Sequence, residues 1–236
     1  MAAIHPADPF RAIIDRLPAV AHATRVLAVA GPVAVGKSTV AAALAERLRA
    51  GGLDVEVVST DGFLLPNAAL AAQGLLERKG CPETYDLTRL EALVGSAREG
   101  RTPLEVPVYS HERYDVLEAP VAVDRPDVLV IEGVVALQRR FADLGVYIQA
   151  EESDVIAWYV ARFQSLVHAA RDDPTSFYRG WIDLDEAAVA ELARAVWNGV
   201  NHPNLHEHIA PTRALADVVV HKGPDHRILS LEWVDP

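Results

Sequence analysis

One short stretch constrains the fold of this 236-residue chain most, GPVAVGKST at residues 31–39. It follows an apolar run at residues 25–30 and leads into an alanine-rich run at residues 38–50, which predicts a buried strand, a glycine loop and a helix in succession. Glycines let a loop backbone curve around a phosphate group, and the amides at a helix N-terminus point toward the anion. The spacing G-x-x-x-x-G-K-[ST] therefore predicts a phosphate-binding loop.

Each part of this loop has a predicted task in holding a nucleotide. Lys37 is expected to reach the β- and γ-phosphate oxygens, and Ser38 is expected to offer its hydroxyl to Mg²⁺. The predicted nucleotide-binding residues are Gly31, Val33, Ala34, Val35, Gly36, Lys37, Ser38 and Thr39. The alternative interpretation is an ordinary glycine turn, and the flanking strand and helix argue against it.

Strand and helix patterns alternate along the rest of the chain. Strands are predicted at residues 55–60, 106–110, 120–123, 127–133, near 146, and at 216–222 and 227–233. Helices are predicted at residues 6–20, 86–100, 153–170 and 185–197. This order predicts an α/β chain with the P-loop NTPase fold, in which helices flank a mostly parallel central sheet. Because no repeat or linker interrupts it, residues 1–236 are expected to form a single domain.

Two acids stand where predicted parallel strands end. Asp61 follows the strand at residues 55–60, and Glu132 is at the tip of the strand at residues 127–133. Ligands of open α/β sheets bind at this edge, so Asp61 is the candidate for accepting a hydroxyl proton beside the γ-phosphate. Glu132 is the candidate for holding Mg²⁺ or polarising water. The alternative for both residues is a structural cap at a strand end.

Composition excludes several classes of protein. The formal net charge is −11, and no basic run exceeds pairs such as Arg139 and Arg140, which argues against a nucleic-acid-binding surface. No uninterrupted apolar stretch is long enough to span a membrane, and the start of the chain lacks a signal-peptide core. A single cysteine, Cys81, excludes an intramolecular disulfide. A cytoplasmic protein without membrane or nucleic-acid partners is expected.

The motifs together resemble those of bacterial type I pantothenate kinases. The matching stretches run in family order from about residue 26 to residue 226: GPVAVGKST, STDGFLLPN, KGCPETYD, PVYSHERYD, PDVLVIEG, WYVARF, VNHPNL and PTRALADVVVHKGPDH. The resemblance implies a kinase domain that uses ATP and Mg²⁺ to phosphorylate pantothenate at the first step of coenzyme A synthesis. Members of that family form dimers, so the resemblance also suggests a homodimer, but the sequence alone does not decide the oligomeric state.

The resemblance also implies roles for individual residues. Asp61 would be the catalytic base, Arg162 would contact the transferring phosphates together with Lys37, and His226 would lie near the adenine. The residues implied to line the pantothenate pocket are Lys79, Tyr109, His111, Tyr114, Tyr159 and Asn201. A cation suits the carboxylate of pantothenate, and phenols and an amide suit its hydroxyl and amide groups.

Several alternatives remain open from the residues alone. Lys79 could be a solvated loop lysine, Tyr159 a core residue, and His111 and His226 surface histidines. The chain departs from the family pattern at Cys81 and at residues 176–181, and these departures leave the identity of the acceptor open. A kinase of the uridine kinase or phosphoribulokinase type, acting on a nucleoside or sugar hydroxyl, is therefore the second hypothesis. A nucleotide-binding regulatory module is the third.

Overall fold

The computed structural model describes residues 4–19, 23–138 and 141–234. Its strands are β1 (Arg25–Ala30), β2 (Val55–Ser59), β3 (Leu104–Val106), β4 (Tyr109–Ser110), β5 (Asp115–Val116), β6 (Val121–Val123), β7 (Val128–Glu132), β8 (Leu144–Gln149), β9 (Val218–Lys222) and β10 (Ile228–Trp233). Six of them form the main sheet in the order β10-β9-β8-β1-β7-β2, and β10 alone in this sheet runs antiparallel to its neighbour. The prediction of a mostly parallel central sheet is confirmed.

Helices flank this sheet. They are α1 (Pro9–Ile14), α2 (Lys37–Ala50), α3 (Asn67–Ala72), α4 (Leu87–Arg98), α5 (Glu152–Ala169), α6 (Glu186–Val196) and α7 (His202–Asn204). Short 3₁₀ helices cover Thr60–Phe63, Leu76–Arg78, Pro82–Thr84, Phe177–Trp181 and Ala210–Leu215, and π-helical turns cover Trp197–Asn201 and Leu205–Ile209. The starts of α4 and α6 follow from their caps, because the Asp86 and Asp185 carboxylates accept hydrogen bonds from Arg89 N and Ala188 N.

The carboxyl ends of the central strands meet at one edge of the sheet. In the parallel register, Val29 of β1 and Ser59 of β2 both lie opposite Glu132 of β7. All five residues of β7 are buried, as are five of the six in β1, which explains why these strands read as continuous apolar runs. The glycine loop and Asp61 therefore leave the sheet at the same level, beside Glu132.

The described residues contain two apolar clusters of different size. The larger one fills the space between the sheet and helices such as α2 and α4. The smaller one packs α5 against α6 and the 3₁₀ helix Phe177–Trp181, around Val160, Phe163 and Tyr178. The prediction of one domain over residues 1–236 stays a prediction, and no helix of the described residues is long and apolar enough to cross a membrane.

Two of the predicted elements differ from the structure. The first helix covers Pro9–Ile14 rather than residues 6–20; Asp8 caps its start, and Val20, the predicted end, lies outside the described residues. The strand predicted at residues 106–110 is divided in two, so that β3 pairs with β6 and β4 pairs with β5. Pro107 stands at the division, where it cannot donate a ladder hydrogen bond.

Candidate active site

The glycine loop has a backbone geometry that suits an anion. Gly31, Ala34 and Gly36 have φ values of 145°, 64° and 90°, and α2 begins at Lys37. Left-handed residues among right-handed ones turn successive amides toward one concavity, which is the usual form of a phosphate nest. The φ of Gly36 is one that other residues rarely adopt, and a Cβ there would also lie 2.7 Å from Lys222 Nζ, so the lysine side chain would have to move.

The remaining predicted loop residues support this shape. Val35 is buried, and its carbonyl accepts a hydrogen bond from Lys222 Nζ at 2.9 Å. Val33 is partly buried against the large core, and Thr39 is exposed in the first turn of α2. Lys222 is a residue that sequence reasoning missed, although it lies within the quoted stretch PTRALADVVVHKGPDH. It contacts the loop from β9, which is separated from β1 by β8 in the sheet.

Lys37 folds over the loop. Its Nζ donates a hydrogen bond to Pro32 O at 2.8 Å. Burial lowers the pKa of Lys37, while the negative charges of Glu132 and Asp61 oppose that shift. The ammonium group therefore lies between the loop and the two strand-end acids, where a phosphate charge would compensate the burial.

Ser38 and Glu132 form a direct pair. Ser38 Oγ donates to Glu132 Oε1 at 3.1 Å, and Ser59 also hydrogen-bonds to this carboxylate. Glu132 is only 7% exposed, and this burial raises its pKa, opposed first by the charge of Lys37. A hydroxyl and a buried carboxylate in contact are oxygen donors of the kind Mg²⁺ prefers, so the residues present fit that ion.

Asp61 sits on the 3₁₀ turn after β2 and does not cap it with its side chain. Ser59 is the N-cap, because its Oγ accepts a hydrogen bond from Asp61 N at 3.3 Å. The Asp61 carboxylate instead accepts a hydrogen bond from the Tyr85 hydroxyl at 3.4 Å. Sequence reasoning did not find Tyr85, which is 8% exposed. The capping alternative for Asp61 is therefore wrong for this turn.

Lys79 is buried rather than solvated. It is 8% exposed, and its Nζ donates to Asn67 Oδ1 at 2.6 Å and to Tyr114 O at 2.5 Å. The same Nζ lies 4.1 Å from the ring centre of Tyr114 and 4.9 Å from that of Tyr109. We call Lys79, Asn67, Tyr109 and Tyr114 the Lys79 cluster. Burial lowers the pKa of Lys79 to about 8, with the charges of Asp115 and Asp61 acting in the opposite direction.

The Lys79 cluster lies close to Asp61. Burial raises the pKa of both Tyr109 and Tyr114, and the negative charge of Asp61 raises both further. Tyr114 adopts a left-handed backbone with φ of 55°, which directs its carbonyl to Lys79. Its ring stacks on Phe177, with the ring centres 4.4 Å apart. The segment at residues 176–181 therefore closes one side of this cluster.

His111 and Arg162 meet at the exposed side of the site. Arg162 Nη2 and His111 Nε2 are 3.2 Å apart, and the His111 ring packs edge-on against Tyr109 with centres separated by 5.2 Å. Desolvation lowers the pKa of His111, and the positive charge of Arg162 lowers it further. At this contact the partner of Arg162 is an imidazole whose pKa is lowered, and not a carboxylate, so the contact does not neutralise the charge of the guanidinium.

Tyr159 and Asn201 are also brought together. A hydrogen bond to the Asn201 side chain partly offsets the burial that raises the pKa of Tyr159 to about 12. Tyr159 packs on Trp197, with ring centres 5.6 Å apart, so it contributes to the core as well. Asn201 lies in the π-helical turn Trp197–Asn201 that follows α6.

His226 lies apart from the Lys79 cluster, at the β9–β10 turn. It is exposed, has φ of 64°, and stacks on Trp158 with ring centres 4.0 Å apart. Lys222 Nζ is 5.6 Å from the centre of the Trp158 ring and also bonds the glycine loop, so this stack adjoins the loop. Trp158 is partly buried against the large core and partly exposed beside the loop.

The fold and the site define a class of protein. A phosphate loop after β1, an acid at the end of the neighbouring strand β7 and an acid after β2 at the same edge are the parts of a P-loop kinase, a transferase that uses ATP. Comparison with known proteins places the chain more narrowly. Residues 26–165 match the family model described as Phosphoribulokinase / Uridine kinase family, and the chain belongs to that family.

Relatives within this family are named pantothenate kinase. The relative from Sinorhizobium medicae is 43% identical over 218 residues, which cover 85% of this chain and 66% of that protein. The relative from Sorangium cellulosum is 43% identical over 217 residues, which cover 86% of this chain and 70% of that protein. The aligned part of the chain thus spans about two thirds of the length of these relatives.

Solved structures share the fold. A structure from Silicibacter sp. TM1040 aligns with a TM-score of 0.67 at 26% identity, covering 84% of this chain and 90% of that one. D-glycerate 3-kinase from Cryptococcus neoformans aligns with a TM-score of 0.58 at 16% identity and covers 95% of both chains. At 16% identity, the similarity to D-glycerate 3-kinase shows only that the two chains share a fold.

Proposed function

We propose that this kinase transfers the γ-phosphoryl group of ATP to pantothenate, giving 4′-phosphopantothenate, the first step of coenzyme A synthesis. The observation that carries the proposal is the Lys79 cluster beside Asp61. It offers a buried cation, two phenols and a neighbouring carboxylate next to the phosphate loop. The names of the relatives support the same acceptor.

Asp61 acts as the general base in this proposal. Its carboxylate takes the proton of the acceptor hydroxyl, whose oxygen forms a bond to the γ-phosphorus while the bond from that phosphorus to the β–γ bridging oxygen breaks. The Tyr85 hydrogen bond orients the carboxylate. Because Ser59 already caps the turn, the Asp61 side chain is available for this work.

Lys37 and Arg162 stabilise the phosphoryl charge. Lys37 is held over the glycine loop by Pro32 O, and Arg162 approaches from α5 beside His111. Lys37 is held in place before the reaction, so little reorganisation of its charge is needed, and Arg162, which is exposed on α5, would add a second positive charge. Ser38 and Glu132 would hold Mg²⁺, which when bound neutralises the charge of the phosphate oxygens.

Lys79 binds the carboxylate of pantothenate in this proposal. An ammonium group has three donors, and two of those of Lys79 are used by Asn67 Oδ1 and Tyr114 O, which leaves one for the ligand. The hydroxyl of Tyr159 and the amide of Asn201, already joined by a hydrogen bond, would meet the amide part of the acceptor. Tyr109, Tyr114 and His111 would line the space between them.

A second acceptor class is favoured by the breadth of the family. The name of the matching family combines two kinds of kinase. Phosphoribulokinases act on a sugar phosphate, and uridine kinases act on a nucleoside. The buried cation argues against a nucleoside acceptor, because pantothenate has a carboxylate to pair with Lys79 whereas uridine has no anionic group. Ribulose 5-phosphate is anionic as well, so the choice between it and pantothenate is left to the assay. A regulatory module without transfer chemistry would need neither Asp61 nor the Lys79 cluster.

The test is ADP release with Mg-ATP and a panel of pantothenate, uridine, ribulose 5-phosphate and buffer alone. Turnover of pantothenate, with the phosphorylated product identified by mass, is the expected result. Turnover restricted to uridine or ribulose 5-phosphate would replace the proposal by the second candidate, and the absence of turnover with every acceptor would favour the regulatory module. Gel filtration with light scattering tests the homodimer, and cell fractionation tests the cytoplasmic location; both are still predictions.

A further inference from the structure

A second group of ligating side chains lies outside the machinery described above. It joins Glu152, the first residue of α5, to His202 and His206 of the segment that follows α6. One possible ligand atom from each residue lies within 4.8 Å of the other two. We call these three residues the His-Glu group.

The contacts within the His-Glu group are close and open to solvent. His206 Nε2 is 3.0 Å from Glu152 Oε2, and His202 Nε2 is 3.6 Å from Glu152 Oε1. The two imidazole rings have their centres 4.5 Å apart. The histidine side chains are about half exposed, at 49% and 52%, so an ion can reach them and the side chains have room to adjust.

The local backbone explains why the two imidazoles meet. They are four residues apart in the stretch VNHPNLHEHI, which continues helically from α7 into the π-helical turn Leu205–Ile209. Side chains four residues apart on a helix face the same way. His208, two residues later, points elsewhere: its Nε2 is 3.7 Å from Glu207 Oε2, and its carbonyl bonds Gln138. Two of the three histidines in this stretch are therefore directed at Glu152.

We propose that the His-Glu group binds one divalent transition-metal ion, of which Zn²⁺ is the representative. Two imidazole nitrogens and one carboxylate oxygen are a ligand set that suits zinc, and water completes the fourth position. Mg²⁺ is a poor match because it prefers oxygen ligands in an octahedron. Zinc–nitrogen bonds are about 2.0–2.1 Å long, so the ligand atoms, which lie within 4.8 Å of one another, must move closer together around the ion, and the half-exposed side chains have room for this movement.

The ion would add a link between α5 and the segment after α6, which Tyr159 already contacts through the Trp197 ring and the Asn201 side chain. α5 carries Tyr159 and Arg162 further along the same helix, and Asn201 directly precedes His202. Zinc would therefore fix the first turn of α5 against the segment after α6. The site does not depend on the identity of the acceptor, and it uses none of the residues that hold nucleotide or Mg²⁺ in the proposed mechanism.

An ion pair without metal is the competing explanation of the same contacts. A protonated histidine beside Glu152 needs no zinc, and exposed pairs of this kind contribute little stability. The two explanations differ in a zinc titration, because a metal-free ion pair predicts no binding of one zinc ion per chain. Binding through imidazole nitrogens should also weaken as the pH falls, because only neutral imidazole binds zinc.

The experiment is calorimetric titration of ZnCl₂ into chelator-treated protein that carries no histidine tag, without nucleotide, at pH 7.5 and at pH 5.5. One ion per chain is expected at the higher pH, with weaker binding at the lower pH. His202→Asn, His206→Asn and Glu152→Gln should each weaken binding by about tenfold or more, since even the loss of an outer-sphere partner costs that much. Circular dichroism confirms that each variant is folded.

The matched controls are His168→Asn and Cys81→Ser. His168 is an exposed histidine at the other end of α5, and Cys81 is the single thiol of the chain. Both variants should bind zinc as the unaltered chain does. Absence of binding in the unaltered chain would overturn the proposal. Binding that survives in all three His-Glu variants would overturn it too, because the ion would then lie elsewhere.

Discussion

The phosphate loop and the Lys79 cluster lie at the same edge of the sheet but are built in different ways. The loop is nine consecutive residues whose backbone angles create the binding surface. The cluster takes Lys79 from the turn after a 3₁₀ helix, Asn67 from α3, and Tyr109 and Tyr114 from a short hairpin. Its contacts join residues 12 and 35 positions apart in the chain.

Because of this difference, the two regions depend on their side chains to different degrees. Backbone amides bind phosphate whatever side chains the loop carries, apart from the residues with special angles and Lys37. The cluster, in contrast, depends on a buried ammonium group whose two hydrogen-bond partners come from two other segments of the chain. We therefore expect substitutions at the phosphate end to act on catalysis or on ATP, and substitutions in the cluster to act on the acceptor.

The largest effect is expected for Asp61→Asn, which tests the boundary between the two regions. The substitution keeps the size of the side chain and the Ser59 cap but removes the proton acceptor. kcat should fall by about 10²–10⁴-fold, the usual contribution of a positioned general base. ATP affinity, measured by nucleotide titration, should change little.

The control for this prediction is Asp54→Asn, at an exposed aspartate just before β2. It removes the same charge at the opposite end of the strand and should leave kcat unchanged. An Asp61→Asn variant that kept its kcat but lost ATP affinity would assign Asp61 to the phosphate end instead.

The second largest effect is expected for Lys79→Met, which removes the charge of the cluster and retains its length. A charge-assisted hydrogen bond contributes about 1.5–3 kcal/mol, so KM for pantothenate should rise by about 10–150-fold. KM for ATP should stay near its original value, because Lys79 contacts no residue of the glycine loop in the described structure. Steady-state kinetics with each substrate varied in turn measures both.

Arg78→Met is the matched control, since Arg78 is the neighbouring cation but its side chain is half exposed and pairs with Glu83. It should leave both KM values unchanged. Equal changes in the two KM values for Lys79→Met would contradict the division of the site into separate phosphate and acceptor regions.

The same difference explains what the sequence could predict. The glycine loop, the ends of β2 and β7 and the starts of α4 and α6 follow from local patterns, and the structure has these ends and starts within one residue of their predicted positions. The burial of Lys79 does not follow from any local pattern, because it is created by Asn67 and by the carbonyl of Tyr114, which only the fold brings near. The resemblance to a family pointed to Lys79 and the tyrosines as a set.

Some residues near the site carried no signal of their own. Tyr85 and Lys222 read as an ordinary aromatic and a strand-end lysine, and their contacts with Asp61 and with the glycine loop arise from tertiary packing. Trp158 lies on an apolar helix and packs against the large core, and it also stacks on His226 at the surface. An amphipathic pattern shows which face of a helix is apolar but not whether a ligand or the core covers that face.

An effect of intermediate size is expected in the pH dependence of KM for pantothenate, and KM for ATP should not share it. Burial lowers the pKa of Lys79 to about 8, so Lys79 is charged below that pH and loses its charge as the pH rises through it. KM for pantothenate should therefore be constant below about pH 8 and rise by up to tenfold for each pH unit above it. In Lys79→Met this rise should be absent, and a rise that persists there would assign the titration to another group.

The smallest effect is expected for Tyr85→Phe, which keeps the buried ring and removes the hydroxyl that contacts Asp61. Burial raises the pKa of Tyr85 well above its ordinary value, so the phenol stays protonated and donates to the carboxylate. A hydrogen bond to a carboxylate is charge-assisted, but this one is long at 3.4 Å, so we expect it to contribute only as much as an ordinary hydrogen bond, about 0.5–1.5 kcal/mol. That corresponds to a fall in kcat of about 2–12-fold with KM nearly constant. Tyr147→Phe, at another buried tyrosine on β8, is the control and should leave kcat unchanged. If Tyr85→Phe also leaves kcat unchanged, the turn capped by Ser59 is sufficient to orient Asp61, and the base belongs to the locally built part of the site rather than to the part assembled by packing.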